Sequence, residues 1–246
     1  GPVCRLFRER AEACRMIWHD HRRFERPALV PTGDPESYLR RALKSDRWRE
    51  LGRQRRKLEA MGEVQFVSLA PGEDPAPWID GFLALEGSGW KGANGSALSS
   101  KEDHARFFRA IIGDLHARDQ VLFHGLLLDG RWIAMSCNLV GAAGGAFAFK
   151  VAFDEELRRM APGLLLEADS LREIFTRHDA IGWVDSCCGR NNTVIARMWG
   201  ERRTIGDLAL AAPGLKGRVA LWAWRRGKDL LLRQAGHGQR PLAKAA

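Results

Sequence analysis

No run of 18 uninterrupted apolar residues occurs in the 246-residue chain, so no helix read from it is long and apolar enough to cross a bilayer. No charged segment followed by an apolar stretch opens it, which gives the expectation of no secretory leader. Cys4, Cys14, Cys137, Cys187 and Cys188 form no CxxC pair and keep no regular spacing. The adjacent pair Cys187-Cys188 suits neither a zinc site nor an ordinary disulfide, and the natural reading is a reduced, cytoplasmic protein. The histidines are scattered and no HExxH occurs, so no metal centre is expected. Heptads and low-complexity segments are absent, and tyrosine occurs once, at Tyr38. What is present is a chain that is 45% apolar, enough for one substantial core or a core with a small accessory unit.

The formal net charge of +9 is unevenly spread. Residues 1–60 carry 16 Lys/Arg against 9 Asp/Glu, residues 61–212 carry 15 against 20, and residues 213–246 carry 8 against 1. A mildly acidic middle thus lies between two basic flanks. A nucleic-acid binder more often carries its basic face on the folded unit itself. Basic flanks read first as solvated helices, and otherwise as contacts for RNA, acidic lipid or another anionic polymer.

Gly1-Pro2 reads as a cleavage scar, and residues 1–37 as the remnant or linker of a longer N-terminal half, with ALVPTGDPES (28–37) linker-like in composition. Residues 38–62 give a very basic helix stopped by Gly62. Then follow a strand (64–70), a helix (75–87), a Gly-rich loop SGWKGANGSAL (88–98) and a helix with Ser caps and early acids (99–119). QVLFHGLLL and RWIAMSCNLV flank Asp129-Gly130, a favoured two-residue hairpin turn. AFAFKVAF (146–153) alternates, which predicts Phe147, Phe149, Val151 and Phe153 on one face and Lys150 on the other. A helix from Gly163, a strand at 181–186, a short helix at 191–199 and a strand at 204–211 complete residues 63–212. Residues 213–246 read as a basic helical tail with a disordered end. The order predicts an α/β fold with one mixed sheet and helices on both faces.

The chemistry is sought where the alternating strand ends. In APGLLLEADSLREIF (161–175), Leu164, Leu165, Ala168, Leu171 and Phe175 form one stripe, so the helix lies on the sheet. Its first amides lack intrahelical acceptors and sit at the positive end of the helix dipole. Pro162 fixes the entry dihedral, and Gly163 removes a side chain where a phosphate approaches. A diphosphate can rest there without a lysine, with Arg158 and Arg159 to steer it. The same residues also read as an ordinary helix start.

RRKLEAMGEVQF (55–66), FLALEGSGWKGANGSAL (82–98), FKVAFDEELRRMAPGLLLE (149–167) and WVDSCCGRNNTVIARMWGERRTIGDLAL (183–210) cover most of 55–210. They resemble the GNAT acyltransferases, and within them the CelD/BcsL branch, which is associated with cellulose biosynthesis and related to FemAB proteins. The resemblance implies acetyl-CoA or another acyl-CoA as donor and a small-molecule or saccharide acceptor. It places the diphosphate on the loop of Gly163, Leu164 and Leu165. It lays the pantetheine arm along the strand of Phe149 and Val151, with the thioester beside strand 181–186. Asp154 and Glu155 then read as a solvated turn or as a general base, and Asp185 as a base or a cap. Glu86, a further candidate catalytic carboxylate, falls with Trp90, Lys91 and Lys150 where this fold takes its acceptor. Trp90 and Lys150 read equally as packing and surface residues. Asn192 and Trp199 read as capping and packing.

Departures from the family pattern accompany these matches. Many GNAT enzymes use a tyrosine as general acid on the helix after the fifth strand, and Tyr38 lies elsewhere. The phosphate loop lacks the usual Arg/Gln-x-x-Gly-x-Gly/Ala pattern, and no seventh strand is evident. A covalent acyl intermediate on Cys187 or Cys188 lacks an adjacent His. Three functions compete: acyl-CoA-dependent N- or O-acyl transfer, FemAB-like transfer from aminoacyl-tRNA with helix 38–62 holding RNA, and a degenerate GNAT fold acting as a binding module. No oligomeric state follows from the sequence.

Overall fold

Asp34 accepts from the Ser37 amide at 2.7 Å and caps the first long helix, which starts at Pro35, inside the stretch read as linker. In this computed structural model, residues 2–141, 143–177, 181–189 and 195–238 are described. In chain order the elements are α1 (Pro2–Ala13), β1 (Ile17–Leu29), α2 (Pro35–Glu59), β2 (Val64–Ser68), α3 (Ala76–Ser88), α4 (Trp90–Ala93), α5 (Glu102–His116), β3 (Val121–Leu128), β4 (Arg131–Val140), β5 (Gly145–Phe153), α6 (Pro162–Arg177), β6 (Trp183–Asp185), α7 (Ile195–Met198), β7 (Glu201–Ala211) and α8 (Leu215–Gly238). Asn192 and the chain end after Gly238 lie outside the described residues.

Seven strands are bonded in the order β2-β3-β4-β5-β6-β1-β7, a mixed sheet of the expected class. β2, β3, β4 and β5 form an antiparallel meander, and Asp129 and Gly130, at φ 48° and 76°, make its predicted tight turn. β5 and β6 are parallel. The seventh strand that the sequence did not reveal is β1. IWHDHRRFERPAL lies largely in the segment read as a remnant, and its charges hide a strand whose last residues, Ala28 and Leu29, pair with Asp185 and Val184. α2 also differs from the expected single helix, because Lys44 at φ 57° kinks it.

By internal contacts the chain divides into a larger unit, Arg26–Arg203, and a smaller one made of Gly1–Glu25 and Thr204–Ala246. In the larger unit, α2 and α6 cover one face of the sheet through Leu39, Leu43, Leu51, Leu58, Leu165 and Leu171. α3 and α5 cover the other through Trp78, Phe82, Phe108 and Ile112. β3 is buried almost throughout, as expected of a strand covered on both faces. Each fully buried Leu or Phe here contributes about 1.5–3 kcal/mol relative to exposure.

The alternation predicted for β5 fails in the middle. Cys137 pairs with Lys150 but Asn138 pairs with Ala148, so Phe149 is an extra residue on β5. This bulge reverses the facing of everything after it. Ala146 and Ala148 pack with the α6-side core, while Phe149 and Ala152 pack with the α3-side core and Phe153 returns to the α6 side. Phe149 and Phe153 therefore do not share a face, and Lys150 turns toward α3 instead of away from Phe149.

Candidate functional site

β6 pairs with β5 only through Trp183, Val184 and Asp185, opposite Gly145, Ala146 and Phe147. Beyond Phe147, β5 continues to Phe153 with no strand partner on that side among the described residues. The Asp154 amide donates to the Ile133 carbonyl at 2.8 Å, so residue 154 faces β4. Main-chain groups alternate along a strand, which turns those of Val151 and Phe153 to the open edge. Val151 is 44% exposed there. An extended amide-bearing ligand can add to such an edge through backbone hydrogen bonds.

The edge leads into the turn before α6. Ala161 is left-handed at φ 48°, and its carbonyl accepts from the amides of both Leu164 and Leu165, at 2.9 and 3.1 Å. Pro162 has no N–H. Of the bare amides expected in this first turn, the Gly163 N–H alone has no main-chain acceptor among the described residues. A Cβ on Gly163 would stand 3.3 Å from the Phe153 ring, so the glycine is packed against the end of β5. The side chain of Leu165 lies in the core, and Pro162 is buried. Arg158 and Arg159, in the 3-10 turn Glu155–Met160, are exposed and in no ion pair among the described residues.

Across the open edge stands the Gly-rich segment, which folds into one turn, α4, instead of a loop. Its anchor is Glu86, 3% exposed on α3. Glu86 Oε1 accepts from Lys91 Nζ at 2.8 Å, with Lys150 Nζ 3.9 Å away, and Oε2 accepts from the Leu98 amide at 2.8 Å. Lys91 Nζ also donates to the outward-facing Val151 carbonyl at 3.2 Å. Glu86 thus closes the Gly-rich segment onto itself, and Lys91 ties it to β5. Trp90, 56% exposed, is the aromatic surface beside this tie.

The remaining carboxylates part company. Asp154 caps the 3-10 turn by accepting from the Glu156 amide at 2.9 Å, and it pairs with Arg131 Nη1 at 2.6 Å. Asp185, 3% exposed, accepts from Arg26 Nη1 at 3.2 Å and the Cys187 amide at 2.8 Å, with Arg203 3.8 Å away. Glu155 Oε1 accepts from the Trp90 amide at 2.9 Å; its other oxygen has no partner among the described residues. A small cleft unites Glu86, Trp90, Lys91, Val151, Phe153 and Glu155. The fold thus brings Glu86, Trp90 and Lys91 together with Glu155 and leaves Lys150, Asp154 and Asp185 out of the lining of that cleft. Tyr38 is no acid here. It is buried, donates to Glu201 at 2.7 Å and accepts from the Gly200 amide at 2.8 Å, and burial, with the nearby Glu201 carboxylate, pushes its phenol far up.

Sequence reading missed the frame around Asp185. Arg203 stacks 3.9 Å over the Trp183 ring, and Trp183 meets Phe147 edge-on at 5.2 Å. Arg26 and Arg203 reach Asp185 from segments remote in sequence, so no local spacing signals them. Cys187 sits at φ 48° just beyond, its thiol pushed up first by burial and then by the Asp185 charge.

A family model described as an acetyltransferase (GNAT) domain matches residues 45–192. No curated protein sequence matches the chain. Solved structures that it resembles include FemX, at 8% identity and a TM-score of 0.51 over 73% of this chain and 59% of that one. A DUF2156 C-terminal domain from Agrobacterium fabrum aligns at 15% identity and a TM-score of 0.51, over 88% and 68%. A conserved protein from Bacteroides thetaiotaomicron aligns at 14% and 0.47, over 74% and 56%. The chain therefore spans 56% to 68% of the length of these three.

Proposed function

The chain belongs to the GNAT acetyltransferase family, whose members use acyl-CoA donors, and we propose that it transfers an acyl group, acetyl in the simplest case, to an amine or hydroxyl at the cleft of Trp90, Lys91 and Glu155. One observation carries this reading: the open edge of β5 runs into a turn whose Gly163 amide is available, beside Arg158 and Arg159. The pantetheine arm lies along Val151 and Phe153, and the diphosphate takes the Gly163 amide and the two arginines. The acceptor sits on the Trp90 side.

The transfer is simple in its balance. The acceptor nitrogen or oxygen attacks the thioester carbonyl, the C–S bond breaks, and CoA leaves as the thiolate, which finally takes up the proton that the acceptor loses. Glu155 takes the acceptor's proton, because it lines the cleft with an uncommitted oxygen while Glu86, Asp154 and Asp185 are each held by two or more donors. Proximity supplies most of the acceleration. The CelD/BcsL pattern of GWKG, FKVAFDE and PGLLLE supports an acceptor from polysaccharide or envelope chemistry.

Calorimetry with acetyl-CoA and with CoA tests the donor. Binding is expected, and Gly163→Glu, which puts a carboxylate at the diphosphate position, abolishes it while circular dichroism stays unchanged. Absence of heat at millimolar ligand overturns the donor assignment, and normal binding by the variant overturns its placement. Salt-sensitive binding of tRNA in place of CoA would favour the aminoacyl-tRNA reading, for which the basic α2 offers the surface.

A further inference from the structure

Nearly all the net charge sits in the smaller unit. Gly1–Glu25 and Thr204–Ala246 hold 14 Lys/Arg against 6 Asp/Glu, net +8, leaving the larger unit at +1. Large exposed apolar side chains concentrate in the same unit: Val3, Leu6 and Phe7 on α1, Leu208 and Leu210 on β7, and Leu215, Val219, Trp222 and, least exposed of the four, Trp224 on α8.

α8 shows how the two coincide. At 100° per residue, Gly217, Leu221 and Trp224 fall on one side of the helix. That side is turned toward β7: Gly217 is buried, these three residues line a groove with Leu208 and Leu210 of β7, and Trp224, 36% exposed, meets the His21 ring at 4.9 Å. Leu215, Val219 and Trp222 fall on the opposite side, at 76%, 56% and 60% exposure. A helix docked on a protein normally turns its polar residues outward. Here the outward stripe is apolar and ends in a tryptophan. Arg218 and Arg225 flank it on one side, Lys216 on the other, and Arg226 continues it.

We propose that this outward face of α8 docks on the surface of an anionic lipid bilayer. The apolar stripe enters the interface, Trp222 sits at headgroup level, and the arginines pair with lipid phosphates. Nucleic acid satisfies the charge but gives Leu215 and Val219 nothing to bury against. A second copy of the chain buries the stripe but opposes +8 with +8. An anionic bilayer satisfies both, and no helix of the described residues is long and apolar enough to cross it, so the contact is peripheral.

Cosedimentation of the whole chain with vesicles tests this. Expected is pelleting with phosphatidylglycerol–phosphatidylcholine vesicles in 0.1 M salt (about one part in two anionic), none with pure phosphatidylcholine, and release in high salt. Arg218→Ser, Arg225→Ser and Arg226→Ser together should lower partitioning about a hundredfold, at roughly fivefold per arginine near an anionic surface. Leu215→Ser, Val219→Ser and Trp222→Ser together, with every arginine retained, should also abolish most binding. Circular dichroism and acetyl-CoA binding are expected unchanged in both variants. Absence of pelleting overturns the proposal. So does full binding by the apolar triple variant, which would mean simple attraction to any polyanion. A dimer by light scattering that Trp222→Ser dissolves would assign the stripe to a second copy instead.

Discussion

Glu86 illustrates how burial reassigns a carboxylate that the family resemblance offers as a catalytic candidate. A carboxylate with one lysine at 2.8 Å, a second at 3.9 Å and a backbone amide at 2.8 Å has its oxygens committed, and its work is to hold the Gly-rich segment against β5. Lys91→Met removes both the contact to Glu86 and the contact to the Val151 carbonyl, leaving a buried carboxylate short of a donor. The expected loss is about 1–3 kcal/mol in urea unfolding. Lys150→Met removes only the longer contact and is expected to cost under about 1 kcal/mol; equal losses would show that Lys91 is no tie. Glu167 gives a pH-dependent case. Burial raises its carboxyl, opposed by the hydrogen bond it accepts from Trp199 Nε1 at 2.8 Å. The folded state therefore keeps the proton to a higher pH than the unfolded chain does. Stability falls as pH rises from the ordinary carboxylate range through the raised value, and the full penalty is present above it. Glu167→Gln keeps an acceptor for Trp199 without the charge. Its urea midpoint should exceed that of the parent at pH 8, with the gap closing at pH 4.

The strands and helices were legible wherever a local pattern governs them. Asp129-Gly130 announces its hairpin, and the leucine stripe announces α6. Two features were not. β1 carries His, Asp and Arg through a strand, and its pairing with β6 spans more than 150 residues, so no window contains the reason for it. The bulge at Phe149 has no compositional mark, yet it decides that Lys150 meets Glu86 and that Phe153 lies under Gly163. Gly145 tests the junction that leaves the edge open. A Cβ there would lie 2.1 Å from Trp183 Cζ2, so Gly145→Ala must displace an indole held between Phe147 and Arg203. Overpacking of this kind costs about 1–3 kcal/mol. The β5–β6 pairing has only three registered pairs to absorb it. Gly145→Ala should therefore lower the thermal midpoint and weaken acetyl-CoA binding together. Wild-type values for both would mean that the junction yields without affecting the edge.

Among the described residues, both hydrophobic clusters lie between Leu29 and Trp199, inside the larger unit. The stretch matched by the family, 45–192, lies inside it as well, and so do Glu86, Trp90, Lys91, Glu155 and Gly163. A unit with its own core on both faces of its sheet holds what cooperative folding requires. Among the described residues, the smaller unit contributes none to either buried cluster, and it carries the charge. A core confined to one unit and a charge concentrated in the other imply separable properties. A fragment of residues 26–203 should unfold cooperatively in urea and bind acetyl-CoA with the affinity of the whole chain, while losing the attraction to anionic vesicles. The β1 residues it keeps, Ala28 and Leu29, are those that pair with β6, so the junction beside the open edge stays intact. If the fragment shows no cooperative transition, the strand residues removed before Arg26 are part of its folding unit. If it folds but no longer binds the donor, the donor site draws on residues outside 26–203.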